Sequence, residues 1–172
     1  GANGTGKSTI VKLALGMVDY NEGDICIGGI SPEQIDYNNF PYKIFYLTQE
    51  DPAYNFTPSE LFSMVLGDSD SKKAFNFFNM FNIGEEILSQ TISSLSGGER
   101  KKVFLSLAFA CDPQLMILDE PTNSLDRNGC DVLYKLLLSR SCGSVIITHE
   151  EELMALASTV YVVRERQVIH EK

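Results

Sequence analysis

Gly1-Ala2-Asn3-Gly4-Thr5-Gly6-Lys7-Ser8 sets three glycines ahead of a lysine and a hydroxyl residue, at the spacing G-x-x-x-x-G-K-[ST]. Glycines at these positions let the backbone curl so that successive N–H groups point at phosphate oxygens. A helix starting at the lysine adds the positive end of its dipole. Lys7 then supplies a point charge to the β- and γ-phosphates, and the Ser8 hydroxyl is placed to ligate Mg²⁺. Thr9 can reach an α-phosphate oxygen. The competing reading is a glycine-rich turn that merely starts a helix.

A second cluster narrows the choice. Leu115-Met116-Ile117-Leu118-Asp119-Glu120 is an apolar strand ending in two acids. Asp119 at the strand's C-terminal end can hold Mg²⁺, usually through water, facing the phosphate loop. Glu120 is then positioned to orient or deprotonate a water attacking the γ-phosphate. A solvated acidic turn after a strand is the plainer alternative, and the phosphate loop in the same chain argues against it.

Leu95-Ser96-Gly97-Gly98-Glu99 precedes another helix. Ser96 can cap it, and the two glycines clear side chains from its N-terminus. One chain then carries two receptors for a γ-phosphate, which suggests that the second serves another subunit's nucleotide. Alone, this motif is also that of an ordinary capped helix.

The elements that must position these groups follow from periodicity. Ile10, Val11, Ala14, Leu15 and Val18 predict a helix over 7–18. Asp24 to Ile27 reads as a short strand before Gly28-Gly29, and Ser31-Pro32-Glu33 as a helix start. Lys43 to Thr48 is another strand. Between Glu50 and Thr91 the texture changes to short helical patterns, 59–66, 71–81 and 85–89, rich in Phe and Asn. The phenylalanines at helical spacing read as core packing rather than a ligand pocket. After Ser96 a helix carries Val103, Phe104, Leu107, Ala108 and Cys111 on one stripe. Then come a buried strand 115–118, a helix 128–139, a strand 144–148, a helix 150–157 and a hairpin of 160–163 with 167–169. Strands alternating with helices imply a parallel sheet covered on both faces.

Bulk properties set the bounds. The 172 residues suit one domain, 44% hydrophobic and 22% charged, and the net charge of −9 argues against general nucleic-acid affinity. Lys72-Lys73 and Arg100-Lys101-Lys102 are the only basic clusters and read as solvated helix faces. Cys26, Cys111, Cys130 and Cys142 form no Cys-x-x-Cys pair, so reduced, mostly buried thiols are expected. No apolar run is long enough to span a bilayer.

Taken in order, Gly1-Ala2-Asn3-Gly4-Thr5-Gly6-Lys7-Ser8-Thr9, Gln49 after a strand, Leu95-Ser96-Gly97-Gly98-Glu99, Leu115 to Glu120, Ser124-Leu125-Asp126 and His149 after 145–148 resemble the full motif set of the ABC ATPases. The resemblance implies an α/β fold: a P-loop NTPase core with a mainly parallel sheet, residues 1–49 and 91–172, and a small inserted α-helical subdomain, residues 50–90. It implies ATP and Mg²⁺ as ligands. Gln49 resembles the residue that senses Mg²⁺ and the attacking water. Ser96, Gly97 and Gly98 resemble the signature that closes on a partner's γ-phosphate, Asp126 the loop that speaks across the dimer, and His149 the switch touching the γ-phosphate. Glu120, His149 and Gln49 are thus the expected catalytic residues, with Ser8, Gln49 and Asp119 at the metal.

The same resemblance implies a head-to-tail dimer with a second ABC ATPase domain. It also implies attachment to the cytoplasmic face of a membrane through a transmembrane domain not present in this chain. The chain opens inside its phosphate loop, so the strand that feeds the loop and the adenine-stacking aromatic are expected before Gly1. Leu107 stands where the family usually has Arg, and Arg166 where the last hairpin usually has Gly. Gly28-Gly29-Ile30 with Ile35-Asp36, and the run from Gln49 to Leu61, look more like exporters with a fused membrane domain than like importers. Soluble ABC proteins of translation or repair, and a non-hydrolysing regulatory subunit, are the alternatives. Intact Lys7, Asp119, Glu120 and His149 speak against the last.

Overall fold

The computed structural model describes residues 6–36, 44–164 and 167–171. The chain divides into two compact units, Tyr42–Ile146 and Gly1–Pro41 with Ile147–Lys172, and each is described by itself.

In the larger unit, the unbroken apolar run 115–118 forms the most buried strand of the sheet, while the strands beside it are half-buried or largely exposed. Strand β1 is Ile44–Leu47, β2 is Leu115–Asp119 and β3 is Gly143–Ile147, in the sheet order β1-β2-β3. β1 and β2 run parallel in a register that pairs Ile44 with Leu115 and Leu47 with Leu118. Both therefore deliver their chains to the same end of the sheet.

Two helices precede the long one. α2, Pro58–Leu66, opens with proline at its first position and a reciprocal cap: the Glu60 N–H donates to the Thr57 hydroxyl at 3.2 Å, while the Thr57 N–H donates to the Glu60 carboxylate at 2.7 Å. α3, Ser71–Met80, follows. The expected helix at 85–89 is instead a 3-10 turn, Glu85–Ser89. Phe62, Phe78 and Phe81 are fully buried, with Phe62 edge-on to Phe75 and Phe78 at centroid distances of 5.5 and 6.4 Å. The phenylalanines pack the core, as their spacing suggested.

α4, Gly97–Cys111, departs from the single stripe expected of it. Every residue from Val103 to Ala110 is buried. A helix apolar on all sides belongs inside a core, and α4 shares one with Leu118 of β2, Phe62 and Phe78, and Leu133 and Leu136 of α5, Arg127–Ser139.

In the smaller unit α1 is Lys7–Ala14, shorter than the helix expected over 7–18. Gly16 at φ +65 ends it, and a Cβ there would meet Pro32 Cβ at 3.2 Å and the Pro32 carbonyl oxygen at 3.3 Å. Ile10 and Val18, expected on the apolar face, are exposed. The strand expected over 24–27 does not form. Gly28 and Gly29 both take positive φ and reduce the segment to a turn closed by one bridge, Ile27 to Ile30. The helix start at Ser31 yields only a 3-10 turn, Pro32–Gln34. α6, Glu151–Leu156, and an antiparallel hairpin of β4, Tyr161–Arg164, with β5, Gln167–His170, complete this unit. Arg166 lies outside the described residues.

The thiols differ from expectation: Cys26 and Cys142 are exposed, and Cys111 and Cys130 are partly so. Burial still pushes the Cys111 thiol up to about 12, which keeps it protonated and unreactive at neutral pH.

Candidate nucleotide-binding site

The carboxylate pair sits where β2 leaves the sheet. Asp119, its last residue, is 2% exposed, and its Oδ1 has no hydrogen-bond partner among the described residues. A polar oxygen left unpaired in the interior is costly unless a cation or water meets it. The Tyr46 phenol of β1 lies beside this carboxylate. Burial first, and then the Asp119 charge, hold that phenol above its usual range.

Glu120, 4% exposed, follows in the left-handed region at φ +46. That conformation costs a non-glycine residue on the order of 1–3 kcal/mol and is concentrated at functional sites. A turn in which the Asn123 N–H donates to the Glu120 carbonyl at 3.2 Å fixes it. Gln49, exposed, lies two residues beyond β1 and leaves the sheet at the same end as Asp119.

Ser96 caps α4 as its type suggested. The Glu99 N–H donates to the Ser96 hydroxyl at 3.3 Å, and the Ser96 N–H donates to Glu99 Oε2 at 2.8 Å. The Ser96 hydroxyl, and then its N–H, hold the Glu99 carboxyl below its usual range. Gly97 and Gly98 press on the Ser124 segment of the same chain. A Cβ on Gly98 would lie 2.6 Å from the Ser124 carbonyl oxygen, and one on Gly97 3.3 Å from the Ser124 hydroxyl. Ser124 itself sits at φ +69.

Asp126 caps α5 by accepting from the Gly129 N–H at 2.9 Å. It also takes an ion pair from Lys102 at 3.1 Å. The Gly129 N–H first, and then the Lys102 ammonium, hold the Asp126 carboxyl below its usual range. Gly129 leaves room for this approach: a Cβ there would meet Asp126 Oδ1 at 2.8 Å and Lys102 Cε at 3.2 Å, and those side chains would have to shift.

Arg100-Lys101-Lys102 is therefore not the solvated face expected of it. Lys101 is 1% exposed and pairs with Asp51 at 2.9 Å, and the Lys102 side chain is 13% exposed. Lys72 and Lys73 do face solvent. Sequence reasoning missed Lys101, Lys102, Tyr46 and Gly129. A lysine repeated in a helix that is otherwise apolar was the available signal.

In the smaller unit, Gly6 is the N-cap of α1 at φ +96, a conformation that suits glycine, with Lys7 and Ser8 half-buried and Thr9 exposed. His149, exposed, lies two residues past β3. Gly1, Ala2, Asn3, Gly4 and Thr5 fall outside the described residues.

The family model for ABC transporters matches residues 1–123. The chain belongs to the ABC transporter family. It is 29% identical to a lactococcin transport/processing ATP-binding protein, LcnC-like, of Lactococcus lactis subsp. lactis, over 98% of this chain and 25% of that protein. It is 31% identical to the zinc uptake system ATP-binding protein ZurA of Listeria monocytogenes, over 93% of this chain and 67% of that protein. The chain thus spans a quarter of the first relative's length and two thirds of the second's. Its fold matches the dimeric structure of a post-hydrolysis state of the ATP-binding cassette MJ0796 bound to ADP and Pi, with a TM-score of 0.85 and 22% identity, over 99% of this chain and 82% of that one. This ABC cassette is an α/β P-loop fold, as its motifs implied. Among its described residues no helix is long and apolar enough to cross a membrane.

Proposed function

We propose that this cassette binds ATP with Mg²⁺, hydrolyses it between two cassettes arranged head to tail, and drives transport across a membrane, in the export direction. The observation that carries the chemistry is Asp119: a buried carboxylate at a strand end with one oxygen unpartnered. Among the described residues no group of three or more His, Cys, Asp or Glu side chains gathers to hold a metal. That suits Mg²⁺, which keeps waters and phosphate oxygens as ligands and asks the protein for few. Ser8, Gln49 and Asp119 would hold it, and bound Mg²⁺ would neutralise charge on the β- and γ-phosphates.

The chain's own groups do the rest. Lys7 and the N–H groups of residues 1–8 cradle the phosphates, and Thr9 reaches the α-phosphate. Glu120 orients the attacking water and takes its proton, while His149 and Gln49 meet the γ-phosphate side of the same water. Ser96, Gly97 and Gly98 present the N-terminus of α4 to the γ-phosphate held by the second cassette. Asp126 faces that partner across the dimer. A dimeric cassette of similar fold, bound to ADP and Pi, supports the pairing of two cassettes.

Export is supported by the run from Gln49 to Leu61 and by the lactococcin transport relative, a protein about four times the length matched. Import is the second reading, supported by the zinc-uptake relative. The polypeptide flanking this chain discriminates: several apolar segments of about 20 residues favour a fused exporter, and none favours a separate membrane subunit.

Phosphate release by the full-length protein tests the chemistry. Chelating Mg²⁺ with EDTA is expected to slow release by at least about tenfold, a barrier increase of about 1.4 kcal/mol or more, and added Mg²⁺ to restore it. Release unaffected by EDTA would overturn the reading.

A further inference from the structure

Lys101 is a buried cation that the hydrolysis chemistry does not use. It lies one turn into α4, on the same face as Gly97, and long helical side chains point back toward the helix N-terminus. Its ammonium pairs with Asp51 Oδ1 at 2.9 Å and donates to the Gln49 backbone carbonyl at 3.4 Å. Asp51 is almost as deeply enclosed, its side chain 8% exposed. Next to it Arg100 holds the Leu95 carbonyl at 2.9 Å, so the turn that carries Ser96 is tied down as well. All of these residues lie in the same compact unit.

Stability alone does not account for such a pair. Well-packed apolar residues of similar volume commonly replace a buried ion pair at no loss of stability, whereas removing one partner is strongly destabilising. What an ion pair adds is a defined register between the two segments it joins. Here those segments are the helix whose N-terminus carries Ser96-Gly97-Gly98 and the stretch that begins at Gln49.

We propose that the Lys101–Asp51 pair is a positioning device that fixes Gln49 relative to the Ser96–Gly98 turn. It thereby couples the chain's own ATP to the ATP held against its partner. The inference rests on the proposed hydrolytic reading, in which Gln49 serves the first nucleotide and Ser96–Gly98 the second. Movement of α4 as it closes on the partner's γ-phosphate is carried through Lys101 to the Gln49 backbone.

The test uses the full-length protein with Lys101→Met, Asp51→Leu and the two together. Each single variant is expected to melt well below the parent, because it leaves one charge buried alone, and the double variant to recover most of that loss. With its fold recovered, the double variant is expected to bind a fluorescent ATP analogue within about twofold of the parent but to turn over ATP at least about fivefold more slowly. Recovery of both melting and turnover would overturn the proposal and leave a purely structural pair. A loss of nucleotide affinity in step with turnover would overturn it too, as would a double variant no more stable than the single ones. A parent that hydrolyses no ATP would instead remove the reading on which the inference rests, so its turnover is measured first.

Discussion

Glu120→Gln in the full-length protein is expected to retain ATP binding and to lose at least about tenfold in turnover, a barrier increase of about 1.4 kcal/mol or more. The substitution keeps size but exchanges one acceptor oxygen for an NH2 donor and removes the negative charge that accepts a proton from water. Glu120 is 4% exposed and held at φ +46, so the backbone aims this one side chain at the cost of strain. Glutamine has the same size and branching, so the change is confined to the carboxylate's charge and to one acceptor oxygen becoming a donor. Steady-state phosphate release, paired with equilibrium binding of a fluorescent ATP analogue, separates the two quantities. Unchanged turnover would remove Glu120 from its role.

Gly98→Ala should match that loss by another route. The added methyl would sit 2.6 Å from the Ser124 carbonyl oxygen. A backbone oxygen cannot rotate aside as a side chain does, and Ser124 is already in the left-handed region. The segment must therefore shift, and it leads directly into Asp126, which caps α5 and pairs with Lys102. Overpacking of this kind costs about 1–3 kcal/mol, part of which the better helix propensity of alanine offsets. The fold is thus expected to survive with a modestly lower melting temperature, while turnover falls at least about tenfold. Gly97→Ala meets the Ser124 hydroxyl at 3.3 Å, which can turn away, and the Ser124 Cβ at an ordinary 3.5 Å, so its effect on melting should be smaller. Equal melting and equal turnover for Gly98→Ala and the parent would show that the close approach does not matter.

Much of this was legible in the sequence for a physical reason. Phosphate-binding loops need glycine where φ is positive, and a strand ending in acids needs an unbroken apolar run, so both constraints are written locally. Gly6 at +96 and the fully buried end of β2 bear the two local signals. Ser96 and Glu99 also announced their reciprocal cap three residues apart.

What was not legible depended on partners distant in the chain. Lys101 read as part of a solvated basic cluster because its contact at Gln49 is 52 residues away. Lys102 read the same way, since only the folded structure brings Asp126 to it. The helix over 7–18 was drawn too long because Val18 continues the apolar spacing, whereas Gly16 against Pro32 ends it. The strand over 24–27 failed because two adjacent glycines favoured a turn. Glu85–Ser89 kept its helical spacing but wound as a 3-10 turn, a distinction that five residues of pattern do not carry.

The most direct measurement is the number of ATP molecules held by the Glu120→Gln protein with Mg²⁺, by sedimentation with radiolabelled nucleotide. Slowed hydrolysis should trap the closed state, giving particles with two cassettes and two ATP, which revert to the unliganded form when Mg²⁺ is removed. Cassettes that each bind one ATP without associating would contradict the shared site between Glu120 of one cassette and Ser96–Gly98 of the other.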